Sequence, residues 1–175
     1  MNKKLHIIIV VAVCLCMAAG IHLTQEFRFY NIESNDLFLY DWADIWTKVK
    51  MTGGLSALLA SFLTQFMRIP VAGTMIVTGI YVLSAYLINA IIIRLTDNRS
   101  AIGFTLLPVA FLFLCMENDY YRFQGHVSFV LMLAFLNAYV RVSKENLRFV
   151  IGVLMVPFLY HLAGSVAVVF AVSAM

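Results

Sequence analysis

Charge is what this 175-residue sequence has least of. Its twelve Lys and Arg and nine Asp and Glu make up 12% of the residues, where a soluble domain carries about a quarter. Hydrophobic residues make up 63% and mean hydropathy is +0.93, which excludes an ordinary soluble domain and points to lipid as the solvent. The net charge of +3 is dispersed between apolar runs, which excludes the contiguous basic surface that nucleic acid needs. Cysteine is scarce too. Cys14, Cys16 and Cys115 all fall within apolar runs, where a thiol acts as a small hydrophobe. Cys14 and Cys16 point to different faces of a helix, and nothing beside them completes a metal site. His6, His22, His126 and His161 are scattered, so no pair has ligand spacing.

What the sequence has instead is a series of apolar runs, at 5–23, 55–68, 71–93, 101–116, 127–140 and 149–175. A hydrocarbon core of about 30 Å needs about 20 helical residues. The first and third runs are comfortable spans; the others are short. Lys3 and Lys4 precede the first run, which is either a signal peptide cut after Ala18-Ala19-Gly20 or an uncut first span. Its length favours the anchor. Val13 stands before Cys14 where a lipoprotein signal wants a small residue.

Basic residues decide which runs cross. If 55–68 spans, the cytoplasmic loops hold Lys3, Lys4, Arg68 and Arg122 against eight basic residues outside, which inverts the positive-inside rule. If it lies in the interface, the cytoplasm receives Lys3, Lys4, Arg94, Arg99, Arg141, Lys144 and Arg148, seven against five. The second arrangement obeys the rule. At about 100° per residue, Ser56, Ser61, Thr64, Gln65 and Arg68 share one half of the helical wheel, and Leu55, Leu58, Leu59, Phe62, Leu63 and Phe66 the other. That pattern predicts a helix lying on the membrane with its hydroxyl side wet. Gly53-Gly54 gives a flexible entry and Pro70 marks the turn into the next span.

The fold class expected is therefore all-α, a polytopic transmembrane helix bundle forming a single membrane domain over 1–175. Its spans fall at about 5–23, 71–93, 101–116, 127–140 and 149–162, with an interfacial amphipathic helix at 55–68 after the first outer loop, 24–54. Pro157 and the His161-Leu162-Ala163-Gly164-Ser165 stretch favour a break near His161, leaving 165–175 as a further short segment. The location expected is the inner (plasma) membrane, multi-pass, with a cytoplasmic amino terminus. Seven of the nine carboxylates then lie outside, all but Asp97 and Glu145. The apolar ending at Ser173-Ala174-Met175 reads as the amino-terminal part of a larger membrane protein or a truncated copy of one.

Two outer loops carry the candidate chemistry. In the first, Asp41 and Asp44 sit three apart on one side of a helical turn, with Trp42 and Trp46 four apart on another. The plain alternative is an interfacial tryptophan anchor with solvated acids. Glu33 and Asp36 repeat the spacing as ordinary loop residues. In the second, Glu117 and Asp119 flank one residue, a pair able to hold a divalent cation or to orient a phosphate through it. The alternative is helix-end solvation with Arg122 as local partner. Pro108 and the shortness of 101–116 suggest that this loop starts below the outer surface, and His126 sits near it. Asn98-Arg99-Ser100 matches a glycosylation acceptor but faces the cytoplasm on this path.

This order of parts resembles the amino-terminal half of GT-C-type glycosyltransferases, polytopic enzymes that take sugars from polyprenyl-phosphate donors. The matching positions are Asp36, Asp41 or Asp44 in the first loop, the helix 55–68, and Glu117 with Asp119 as the acidic pair. The string from Gly53-Gly54-Leu55 through Phe62-Leu63-Thr64-Gln65-Phe66 also looks like an uncharacterised bacterial membrane family of the same layout. The GT-C resemblance implies catalysis by Asp41 or Asp44 as general base, with Glu117 and Asp119 binding a metal or the acceptor. It implies donor phosphates met by Arg68 or Arg122, with His126 beside the substrate. A divalent cation and a polyprenyl-phosphate-linked sugar are the implied cofactor and partner. The wider spacing of Asp41 and Asp44, and the absence of further spans and a soluble domain, depart from that family. The alternative class is a noncatalytic membrane protein, a transporter subunit or an envelope-assembly component. Transport needs polar groups near mid-membrane, whereas Asn89 and Asn137 lie near the inner ends of their spans.

Overall fold

A computed structural model describes residues 3–35, 38–96, 102–116, 118 and 122–174. Among them the chain is all-α, with no strand. The helices are α1 (Lys3–Asn35), α2 (Trp42–Lys50), α3 (Gly54–Thr64) continued by a 3-10 turn (Gln65–Arg68), α4 (Pro70–Thr96), α5 (Ile102–Met116), α6 (Gln124–Val140), α7 (Glu145–Ala163) and α8 (Val166–Ala174). Among the described residues two stretches are long and apolar enough to cross a membrane, Pro70–Thr96 and Asn146–Ala163.

Local chemistry sets most of the boundaries. Pro70 occupies the first turn of α4, where its missing N–H costs no hydrogen bond. Gly53 precedes α3 with φ 75°, and Gly164 separates α7 from α8 with φ 75°, a conformation that side chains other than glycine rarely tolerate. The break expected near His161 thus falls just after it, at Gly164 and Ser165. Pro108 and Pro157 lie inside α5 and α7 without ending them.

Two expectations are corrected. The first helix does not stop near Leu23 but runs on to Asn35, and with α2 most of the expected loop 24–54 is helical. Tertiary packing extends it: Ile21 and Phe29 are buried, and a Cβ at Gly73 of α4 would stand 3.0 Å from the Phe29 ring. Arg28 Nη1 also donates to the Met116 carbonyl at 2.7 Å.

The second correction concerns α3, whose hydroxyl side is not wet. Ser56, Ser61 and Thr64 are buried, while Phe62 and Phe66 on the other side are 41% and 42% exposed. The inward face packs against α6 and α7, because small side chains let helix backbones approach closely. Each hydroxyl is satisfied within its own helix end. Ser56 Oγ donates to the Gly53 carbonyl (2.7 Å), Ser61 Oγ to Ala57 (3.0 Å) and Thr64 Oγ1 to Ser61 (2.9 Å). Self-satisfaction removes the roughly 1–3 kcal/mol that an unpaired buried hydroxyl costs.

Helix α6 is central, packing on α3, α4, α7 and α8. One cluster joins Phe29, Ala60, Met67, Val77, Tyr81 and Leu112. A second joins Ile88, Leu133, Tyr139, Leu159, Ala167 and Phe170. At one end of the molecule the Gly53 N–H donates to the His161 carbonyl (2.9 Å), and Gln124 Nε2 donates to the Gly53 carbonyl and to Ser56 Oγ, both at 3.2 Å. The starts of α3 and α6 and the end of α7 therefore meet, and α3 leads from there to the start of α4. At the opposite end the Tyr139 hydroxyl donates to the Ala174 carbonyl (3.0 Å) and Arg148 stacks 4.9 Å over the Tyr139 ring.

Candidate functional site

Where α3, α6, α7 and α8 converge, a cavity of about 450 Å3 opens, with polar lining from Thr52, Arg122, Gln124, Ser128, Tyr160 and Ser165. The sequence builds it through backbone. The two left-handed glycines bring the α2–α3 turn against the α7–α8 turn: a Cβ at Gly53 would stand 3.3 Å from Gly164 N. Gln124 locks the third wall through its bonds to Gly53 and Ser56. Gln124 and Ser128, four apart on α6, face the cavity together. Arg122 is exposed at its mouth. Among the described residues the lining holds a guanidinium, a carboxamide and hydroxyls and no carboxylate. Gln124 already donates to Gly53 and Ser56, so the Arg122 guanidinium and the hydroxyls are the donors for an anionic oxygen ligand.

The expected residues separate. Arg122 is in this recess. Arg68 is exposed at the far end of the 3-10 turn, about 20 Å along α3 by helical rise. Asp41 caps α2, its carboxylate accepting from Ala43 N–H at 3.3 Å. It stands at the N-cap, where its carbonyl accepts from Ile45 N–H at 3.1 Å and closes the first turn that contains Asp44. Asp44 pairs with Lys48 at 3.2 Å, and Lys48 Nζ also reaches Ser61 Oγ at 3.4 Å. Neither acid is among the residues lining the cavity. Trp42 and Trp46 do meet, edge to face, 5.9 Å between centroids.

His126 points the other way. Two residues from both Gln124 and Ser128, it is turned by about 200° on α6, and is 1% exposed. Its Nε2 lies 3.2 Å from the Tyr81 hydroxyl and its ring stacks on Phe123 at 5.6 Å. The Tyr81 hydroxyl also reaches Met116 Sδ of α5 at 3.4 Å. This is a packed polar contact joining α4, α5 and α6. Glu117, Asp119 and Asp36 lie outside the described residues, and so does the cation site expected at the acidic pair. Among the described residues no group of three His, Cys, Asp or Glu could hold a metal.

Thr52, Gln124, Ser128, Tyr160 and Ser165 are additions that sequence reasoning missed. The one local signal was Gln124 two residues after Arg122 at the head of an apolar helix; the others join through a contact between segments more than a hundred residues apart.

The sequence model of a family of unknown function, DUF6057, matches residues 2–175. No curated protein and no solved structure matches the chain.

Proposed function

We propose that this chain, which belongs to the DUF6057 family, is a multi-pass inner (plasma) membrane protein. Its amino terminus is cytoplasmic, and its outer recess receives the phosphate-bearing head of a lipid-linked ligand. The observation that carries the reading is the level of the recess. It lies where Asn146–Ala163 ends, at the same end of the molecule where Pro70–Thr96 begins, and these are the two stretches among the described residues that are long and apolar enough to cross. Only 28% and 17% of their apolar windows are buried, which suits helices facing lipid better than the core of a soluble protein. Helices of this length end at headgroup level, where an exposed Arg122 is in reach of phosphate. Arg94, Arg141, Lys144 and Arg148 gather at the opposite end, the side the positive-inside rule assigns to the cytoplasm.

The activity we propose is sugar transfer from a polyprenyl-phosphate donor, as the GT-C resemblance implies. A carboxylate of the first outer loop, Asp41 or Asp44, takes the proton of an acceptor hydroxyl that Glu117 and Asp119 hold, directly or through a metal. The acceptor oxygen then bonds to the sugar's anomeric carbon as the bond to phosphate breaks, and Arg122 holds the departing polyprenyl phosphate by charge-assisted hydrogen bonds. Binding of a polyprenyl-phosphate analogue to detergent-solubilised protein tests the recess. Wild type binds, and Arg122→Gln weakens binding about tenfold or more, the scale of one charge-assisted contact. No binding at saturating analogue, or equal binding by the variant, overturns it. Glu117→Ala with Asp119→Ala is expected to abolish transfer while binding persists.

A noncatalytic reading has one observation in its favour: the two candidate catalytic acids of the first loop are engaged locally, Asp41 in a cap and Asp44 in an ion pair. Binding without turnover by wild type selects it.

A further inference from the structure

We infer that α2, and not α3, is the element that rests on the lipid surface, with Trp42 and Trp46 in the boundary between headgroups and acyl chains beside the recess. None of the residues of α2 is buried. Trp42 is 69% and Trp46 50% exposed, and their rings pack on each other. The helix is held flat on α3 from its polar side, through Lys48 on Ser61 and the close approach of Gly54 to the Lys48 and Val49 backbone. The preceding segment is fixed the same way: the Tyr40 hydroxyl donates to Gln65 Oε1 at 3.0 Å and Phe38 meets Phe62 at 5.9 Å. What α2 offers outward is therefore aromatic.

The occupant follows from position. Helix α3 bridges the end of α7 and the start of α4, the same-side ends of the two membrane-length stretches. A layer stacked on α3 sits at the level where those helices leave the hydrocarbon. Indole rings, apolar with one N–H, are enriched at that depth, and a short amphipathic helix beds about 5–10 Å into it. Lys50, exposed in the last turn of α2, lies within reach of lipid phosphates. The inference rests on the multi-pass reading but not on what the recess binds.

The chain carries just two tryptophans, both in α2, so its intrinsic indole fluorescence reports this helix alone. Reconstituted into phosphatidylcholine vesicles, the full chain is expected to lose about half its emission when the acyl chains carry bromine near the headgroup. Bromine near the methyl end quenches far less, as rings about 5–10 Å deep require. Trp42→Phe and Trp46→Phe each leave one reporter, and both are expected to follow the same pattern. Quenching by aqueous iodide with none by lipid overturns the inference, as does protection from both, which means that protein covers the helix. Failure to enter vesicles at all, scored by flotation after alkaline washing, overturns the membrane reading itself and is distinguishable from either.

Discussion

Helices α2 and α3 are neighbours of nine and eleven residues that pack on each other, yet they treat polarity in opposite ways. In α3 the serines and threonine face the protein and the phenylalanines face out. In α2 the charged side turns toward α3 and the tryptophans turn away. Where lipid is the solvent, an apolar side chain gains nothing by leaving it, so side-chain size and self-satisfied hydroxyls decide which face goes inward. The same logic runs through α4, where Thr74 and Ser84 are buried and donate to carbonyls four residues back, both at 2.8 Å.

The sharpest way to break this comparison is at the glycine between the two helices. A Cβ at Gly54 would collide with the Lys48 and Val49 backbone, which cannot swing aside as a flexible side chain can. Gly54→Val is expected to cost about 3 kcal/mol or more, the upper range of overpacking, read as a lower midpoint of denaturation in mixed detergent. Gly79 has nothing within 4 Å of its would-be Cβ, so Gly79→Ala in α4 is expected to be neutral or to stabilise by about 1 kcal/mol or less. Equal effects at the two glycines would mean that α2 is not seated on α3.

A smaller effect tests which face of α3 is inside. Ser61→Leu enlarges a fully buried position and is expected to destabilise by about 1–3 kcal/mol. Phe62→Ser, on the outward face, is expected to cost less, about 1 kcal/mol or under, for its ring contacts with Phe38 and Phe66. A flat helix with its hydroxyl side in water predicts the reverse order, so the pair of variants in one unfolding assay decides between them.

The reversal of α3 marks the limit of what the sequence carries. Its start at Gly53-Gly54, the turn at Pro70 and the break at Gly164 were legible because glycine and proline act on the backbone, wherever the rest of the chain lies. The all-α class was legible from run length and hydropathy. The wheel of 55–68 divided polar from apolar residues, and Ser56, Ser61 and Thr64 do share a buried face while Arg68 is exposed, but which side turns inward depends on the solvent and on having α6 and α7 to pack against. The extension of α1 to Asn35 likewise depends on Phe29 finding Gly73, about forty residues on. Of the expected site, Arg122 lines a cavity, Asp41 and Asp44 have local partners, and His126 is enclosed. The recess itself was illegible, because a contact between two glycine turns leaves no spacing to read.

The smallest effect separates a structural acid from a chemical one. Asp41 accepts from Ala43 N–H at 3.3 Å, a long bond, so Asp41→Ala is expected to cost about 0.5–1 kcal/mol, the low end for a helix cap. The loss is confined to α2 and is read as faster amide exchange at residues 43–45. Asparagine caps as well as aspartate but carries no charge and cannot accept a proton as a base. Asp41→Asn therefore leaves α2 and, in the noncatalytic reading, every function intact. If sugar transfer is found and Asp41→Asn removes it while amide exchange in α2 stays at the wild-type rate, the carboxylate acts in the reaction and capping is a second duty. If Asp41→Ala and Asp41→Asn both leave transfer unchanged, Asp41 is a cap alone, and the general base lies elsewhere, at Asp44 first of all.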